Sequence, residues 1–422
     1  MKIIAIILAA VIVLAGCASD DKSSTASEQG SDDSSQVQSS ETDDSAVPID
    51  DIPQNETIAV VDREGKRLGE IHQSGTAVMT DYGIFYRARP EGATDQRDYE
   101  YRLFDPKEGS ERILGSISGN DYEPGYAWTE LDGCLYTVAI IGNLMNDEPE
   151  QQHLYRFDLK NGTMEDVRSI EGRMSPYTCM TSANGKIILC EIREIDGVWT
   201  HDLIEYDPAS GSSSSIMTYT LEGSENGDAV RQLTSDGEHI YVLRVSFKGS
   251  DTVALMMDTY DFNYQKLSEQ DLTPLYVQSM DPEHTVQEDI DTELRQAVDC
   301  FRVIDGRYVY YENFSVTRFF GDVKENKILT ETHGLFASSL GSGSPFWFWV
   351  LGGRIYLDSK SENRIFELKD GSIEESEFND VTDSRYEIVT ASVSQNGTRL
   401  ILMEYKNPKD SSDTLPSKYY VI

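Results

Sequence analysis

Apolar residues fall into three regimes along this chain. Ile3 to Leu14 is an unbroken apolar run after Met1-Lys2, far short of the ~20 residues a helix needs to span a bilayer. From residue 18 to residue 56 apolar positions almost vanish before Val47, and eleven acidic residues stand against Lys22 alone. From Thr57 onward, short β-branched and aromatic runs alternate with polar positions, a period of two that predicts strands rather than helices.

Turn glycines punctuate the third regime. Asp132-Gly133 precedes Leu135-Tyr136, Asn184-Gly185 precedes Ile187-Ile188, Asp236-Gly237 precedes Ile240-Tyr241, and Asp305-Gly306 precedes Tyr308-Val309. Gly352-Gly353, Asn396-Gly397 and the looser Asp81-Tyr82-Gly83 extend the series. An Asp or Asn before Gly supplies the left-handed backbone that a tight antiparallel hairpin demands. From Gly83 to Gly397 the intervals are 50, 52, 52, 69, 47 and 44 residues. After each hairpin comes a second one whose turn begins with an acid, as in Phe104-Asp105 with Gly109, Phe157-Asp158 with Gly162, Tyr206-Asp207 with Gly211, and Val61-Asp62 with Gly65. These carboxylates are explained by bonds to turn amides, without catalysis.

Two hairpins per period of about 50 residues is what a propeller blade of four antiparallel strands requires. The expected fold is therefore all-β, a β-propeller of seven four-stranded blades over residues 57–422, with six or eight as the alternatives. The 69-residue interval is too short to hold an extra blade, so it predicts an insertion. Thr57 to Ile71 reads as an outer hairpin lacking its inner one, and Lys418 to Ile422 as a strand lacking its outer partner. Joining the two ends in one blade would cover both sheet edges.

The start of the chain has its own logic. Leu14-Ala15-Gly16-Cys17, after the apolar run, resembles a bacterial lipobox. The resemblance implies a signal peptide over 1–16, cleavage before Cys17, and a diacylglycerol on the Cys17 sulfur. Residues 17–56 then form a lipidated, disordered Ser/Asp-rich tether, since they have nothing to bury. The whole arrangement resembles the extracytoplasmic β-propeller lipoproteins of bacteria, including those with low-density-lipoprotein-receptor-related or TolB-like propellers. That implies a lipid-anchored protein on the outer face of the cell membrane with a binding or scaffolding role, and it assigns no functional residue.

Charge narrows the partners. The formal net charge is −38, most of it beyond the tether, and such a field repels nucleic acid and anionic polymers. Beyond Cys17 the cysteines are Cys134, Cys179, Cys190 and Cys300, with no CxxC, and the six histidines are scattered, so no zinc spacing is visible. Cys179 and Cys190 flank the Asn184-Gly185 turn symmetrically and should face each other, in a disulfide or as two buried thiols. Asp289, Asp291 and Glu293 offer alternate oxygens to Ca²⁺ but lack the glycine and distal glutamate of an EF-hand loop. A solvated acidic turn or short helix is the favoured reading, leaving no cofactor beyond the lipid.

Candidate ligand contacts lie in the irregular connections, since rigid scaffolds carry binding residues on loops. These are Arg89 to Asp98, Gly142 to Gln152, Glu194 to Thr200 with Trp199, and Leu267 to Val298. Trp347 and Trp349, in the run Phe346-Trp347-Phe348-Trp349, are either stacking platforms at a channel mouth or blade-packing residues, the latter favoured. No GxSxG, HExxH, Walker loop or sialidase box is present. The expected function is recognition of a protein, peptide or glycan. The alternative is an envelope glycan hydrolase or lyase built on paired carboxylates near the channel.

Overall fold

The computed structural model describes residues 55–422, apart from the segments 75–76, 94–96, 119–127, 142–150, 173–179, 224–225, 250–252, 281–286, 296–297, 314–317, 330–345, 352–353, 360–363, 370–371, 377–385, 395 and 406–415. Among the described residues nearly every element is a strand, and consecutive strands pair antiparallel in up-and-down order. Four-stranded units cover residues 78–117, 128–169, 298–328 and 346–375. Residues 180–271 form one eight-stranded sheet, in which the short pairing of Leu221 with Gly227 and Glu222 with Asn226 joins two four-stranded halves.

The remaining sheet is built from both ends of the chain. Tyr386–Val393, Arg399–Tyr405 and Lys418–Val421 pair in order, and Glu56–Val61 and Arg67–Gln73 complete the sheet. The two ends thus meet in one sheet as the edge argument anticipates, with two differences. The sheet has five strands, and its seam, Ala59 opposite Lys418 through Val61 opposite Tyr420, is parallel. Tyr419 Oη donates to Gln73 Oε1 at 3.0 Å across the buried side of this sheet.

Burial follows strand position. Second strands such as Gly83–Ala88 are buried throughout, whereas fourth strands such as Lys266–Asp271 are almost wholly exposed. A strand flanked by neighbouring sheets on both faces has no polar side to offer water. Each large apolar cluster accordingly draws on two successive units. Phe85, Tyr101, Leu135 and Phe157 belong to one, and Tyr136, Leu154, Ile187 and Leu189 to the next. Another joins the last sheet to the first through Leu400, Leu402, Tyr86 and Phe104. First strands of neighbouring sheets lie side by side, as Trp128–Leu131 does with Met180–Ala183 and Val78–Thr80 with Tyr386–Val393.

The turns form as the glycine pattern predicts. Asp132 and Gly133 have φ of 51° and 75°, Asn184 and Gly185 48° and 74°, both φ values positive as a type I′ hairpin requires. Gly133 is doubly constrained, because a Cβ there would stand 2.8 Å from Tyr82 Oη of the preceding sheet. In the outer turns, Asp105, Asp158 and Asp207 each accept the amide of the following turn glycine on the carbonyl at 2.8 Å. Their carboxylates, and that of Asp62, take further turn amides.

The long interval holds two short helices, α1 (Thr273–Ser279) and α2 (Gln287–Leu294). Leu275, Tyr276, Ile290 and Leu294 pack onto Val245, Phe247, Tyr311 and Phe319, so the insertion is tied into the core between the fourth and fifth units. No helix among the described residues is long and apolar enough to cross a membrane.

Candidate functional site

In a four-stranded meander, turns between strands one and two and between three and four lie at one end, and all other connections at the other. The turn end is uniform and satisfies itself. The loop end is not uniform, and among the described residues its most developed feature is the sheet over 180–271. Lys186–Ile195 and Val198–Asp207 run ten residues each and Ser212–Glu222 eleven. Glu194 to Thr200, expected as an irregular connection, is instead a continuous ladder closed by Asp196 and Gly197 at φ of 53° and 80°. Ile195 at its tip is 58% exposed. Trp199 is half-buried on the ribbon, opposite Glu194 on one side and Leu221 on the other.

Because side chains alternate across a strand, this ribbon has two chemistries. One face carries Glu191, Arg193, Asp202 and Thr218. Arg193 pairs with Asp202, Arg168 of the preceding unit with Glu191, and Thr218 Oγ1 donates to Asp202 Oδ1 at 2.6 Å. Burial raises Glu191 against the opposing charges of Arg168 and Arg193. Burial would raise Asp202 too, but the bonds from Thr218 and Arg193 outweigh it and hold that carboxyl low. This face is a structural charge network.

The opposite face carries Trp199, His201, Tyr219 and Leu221. His201 is 5% exposed and its Nδ1 has no hydrogen-bond partner. Burial first, then the charge of Arg231, pushes the imidazole down to about 4, so it is neutral at physiological pH. Arg231 is the extra residue of a bulge, since Val230 pairs with Arg244 and Gln232 with Leu243. Such bulges re-aim a side chain without breaking the sheet. Arg231 Nη2 donates to the Arg295 carbonyl at 3.4 Å, and the Arg295 guanidinium stands 4.8 Å from the Phe247 ring centroid. Trp199, His201, Arg231 and Arg295 thus form a row crossing from the third unit to the fourth, where the helical insertion rejoins the sheet. Sequence reasoning found only Trp199, because neither a bulge nor the burial of a lone histidine leaves a linear motif.

Below this row lies a second buried cluster. Arg244, 5% exposed, donates through Nε to Asp258 Oδ2 at 2.9 Å and through Nη2 to Glu269 Oε2 at 2.8 Å, and it pairs with Asp228. Tyr219 Oη donates to Asp258 Oδ2 at 2.9 Å, and Lys266 Nζ lies 3.0 Å from Asp258 Oδ1. With every member bonded, this cluster has the character of structure rather than of a site.

One more titratable group is unusual. Glu130, on the first strand of the second unit, is pushed up to about 7 by burial and then by the nearby Asp81 carboxylate.

The remaining residues singled out from sequence divide as follows. Cys17 and Cys179 lie outside the described residues. Cys190 is buried, and the ladder beside it runs from Met180 opposite Leu189 to Ala183 opposite Lys186, the register that the symmetric spacing assumes. Trp347 and Trp349 sit on the first strand of the sixth unit, Phe346–Leu351, with side chains outside the description. Asp289, Asp291 and Glu293 fall on α2, with the side chains of Asp289 and Glu293 outside the description. Among the described residues no group of three or more His, Cys, Asp or Glu side chains is placed to hold a metal ion.

No protein-family model matches the chain, and no curated protein matches it in sequence. Among solved structures it is similar to a Pyrococcus horikoshii acylaminoacyl peptidase, with 10% identity, 82% of this chain and 52% of that one covered, and a TM-score of 0.43. The chain spans about half the length of that peptidase. It is also similar to the β-propeller domain of the Trilobed protease from Pyrococcus furiosus, with 12% identity, coverage of 66% and 78%, and a TM-score of 0.37. The WD40 β-propeller domain of Doa1 gives 12% identity, coverage of 86% and 98%, and a TM-score of 0.36.

Proposed function

We propose that this chain is a seven-bladed β-propeller, lipid-anchored through a diacylglycerol on Cys17 and carried by its tether on the extracytoplasmic face of the membrane. It binds a protein, peptide or glycan through its loop end and does no chemistry on it. Seven successive four- or five-stranded units, with apolar clusters that join the first five in order and the last to the first, support the ring. The observation that carries the binding reading is the contrast between the two ends. Every well-described turn at one end bonds to itself, while the other end presents an extended ribbon with an aromatic platform, a buried histidine and two arginines. Nucleic acid is not a partner, given the net charge of −38.

The anchor is tested by metabolic labelling with an alkyne fatty acid and membrane fractionation. Cys17→Ala should lose the label and leave the membrane; an unlabelled wild-type chain overturns the anchor. The binding face is tested by crosslinking from intact cells. Trp199→Ala should lose the captured partner while a turn-end change, Asn161→Ala, keeps it, and the reverse result would overturn the assignment.

A second reading, a glycan hydrolase or lyase, is supported by Glu130 alone, a carboxyl pushed up to about 7 beside the Asp81 carboxylate. One acid and one base at neighbouring positions is the arrangement such chemistry uses. Release of reducing ends from envelope glycan by wild type but not by Glu130→Gln would establish it.

A further inference from the structure

We propose that Asn184 is a site of spontaneous chemical modification, where the following glycine, Gly185, converts the side-chain amide through a succinimide to an aspartyl or isoaspartyl residue. The inference stands apart from the reading of the loop end as the binding end, because Asn184 lies in the first hairpin turn of the third unit, at the turn end.

The chemistry is local. The backbone nitrogen of the residue after an asparagine attacks the side-chain Cγ, its proton passing to solvent. The bond from Cγ to the side-chain nitrogen breaks, and that nitrogen leaves as ammonia. Water then opens the five-membered ring at either carbonyl, giving an aspartyl residue or an isoaspartyl one whose backbone runs through the former side chain. Glycine favours the step because it has no Cβ to hinder the attack or the peptide rotation that it needs.

The chain has four such pairs, Asn161-Gly162, Asn184-Gly185, Asn226-Gly227 and Asn396-Gly397. All four asparagines are exposed, so access to water does not separate them. Hydrogen bonding does. Asn161 Nδ2 donates to Asp158 Oδ2 at 2.8 Å, and the Gly162 nitrogen donates to the Asp158 carbonyl at 2.8 Å. Asn396 Oδ1 accepts the Thr398 amide at 2.9 Å and Ser394 Oγ at 2.7 Å, while the Gly397 nitrogen donates to the Ser394 carbonyl at 3.0 Å. Asn226 Oδ1 accepts the Gly249 amide at 3.0 Å, and Gly227 is pressed so close to the Thr220 carbonyl that a Cβ would stand 2.0 Å from its oxygen. Among the described residues, by contrast, the Asn184 side chain and the Gly185 nitrogen make no hydrogen bond. A Cβ on Gly185 would meet nothing within 4 Å, and the rotation is resisted only by the pairing of Ala183 with Lys186 at the base of the turn. An intramolecular attack is governed by how readily the reacting atoms reach alignment, and of the four pairs this one is least held from it.

The products bear on the fold. An isoaspartyl link adds a backbone carbon to a two-residue turn whose φ values of 48° and 74° suit a type I′ hairpin. Either product also puts a carboxylate two residues from Lys186, whose Nζ pairs with Asp207 Oδ2 at 2.5 Å.

The purified full chain is held in mildly alkaline buffer, sampled over time and digested under acidic conditions that halt the reaction. Tandem mass spectrometry then reads the amide-to-acid change at each of the four asparagines, and enzymatic methylation counts isoaspartate. Asn184 should convert at least about tenfold faster than Asn161, Asn226 or Asn396, the factor supplied by a hydrogen bond that holds a reactant out of line. In urea, with the folded bonds gone, the four rates should come together. Persistence of Asn184 in the folded chain while the chain in urea converts, equal rates at the four positions in the folded chain, faster conversion at any of the other three, or the folded ranking retained in urea would each overturn the proposal. The readout is the mass at one residue, so it is independent of whether the anchor or the loop-end reading stands.

Discussion

Asp81 Oδ1 accepts the backbone N–H of Asn396 at 2.7 Å across 315 residues of chain. It joins a turn of the first unit to a turn of the last. Beside it, the Met79 amide donates to Ser392 Oγ at 2.8 Å, and the apolar cluster of Ile84, Tyr86, Leu400 and Leu402 covers the same junction. Polar clasp and apolar seam together hold the ends of the chain.

Because the Asp81 bond is exposed, its net worth is modest. Asp81→Ala should cost about 0.5–1.5 kcal/mol, read as a lowered urea midpoint with an unchanged m-value. A much larger loss, or a change in slope, would mean that the closure opens separately from the rest.

Glu130 makes stability depend on alkali. Its folded pKa is raised to about 7 from 4.5, by burial and then by Asp81, so the folded state holds a proton that the unfolded chain releases. That contribution is complete below about 4.5 and is lost as pH rises through about 7. Denaturation midpoints measured from pH 5 to pH 8 should fall in wild type and stay flatter in Glu130→Gln. Identical slopes would show that Glu130 titrates normally.

His201 acts in the opposite direction. Its folded pKa is lowered from 6.5 to about 4, so the unfolded chain takes up a proton that the folded state refuses. Stability is therefore lost as pH falls from about 6.5 toward 4, by up to about 3 kcal/mol. His201→Gln should remove most of this acid sensitivity, which parallel thermal melts at pH 7 and pH 4.5 would reveal.

Asp258 tests whether the ionic cluster stabilises or merely satisfies itself. Burial would raise this carboxyl, but Arg244, Lys266 and Tyr219 together hold it below its ordinary value. Asp258→Ala strands Arg244 without its main partner and should cost about 3–5 kcal/mol. Replacing both, Arg244→Met with Asp258→Leu, should recover much of that loss. If the double variant is as unstable as the sum of the singles, the pair contributes net stability in its own right.

Legibility from the sequence followed the range of the forces involved. The glycine at position 133, the paired Asn184-Gly185, and the acids Asp105, Asp158 and Asp207 act within four residues of themselves, so their turns could be read directly. Their spacing then fixed the repeat and placed an insertion within the long interval between Gly237 and Gly306. The ribbon tip at Asp196-Gly197 carries the same local signal, yet by sequence it reads as a loop because it falls outside the periodic series.

What the tertiary structure alone decided lies in contacts distant in sequence. Local pattern assigned the strands, their hairpins and the all-β class, because hydrogen bonding and turn geometry are settled between near neighbours. It could not reveal that the terminal strands pair in parallel, that Arg231 bulges toward a buried histidine of the neighbouring unit, or that Asp81 raises Glu130. Each of those depends on which faces meet after the sheets have packed, and burial and field strength belong to the assembled surroundings rather than to any residue by itself.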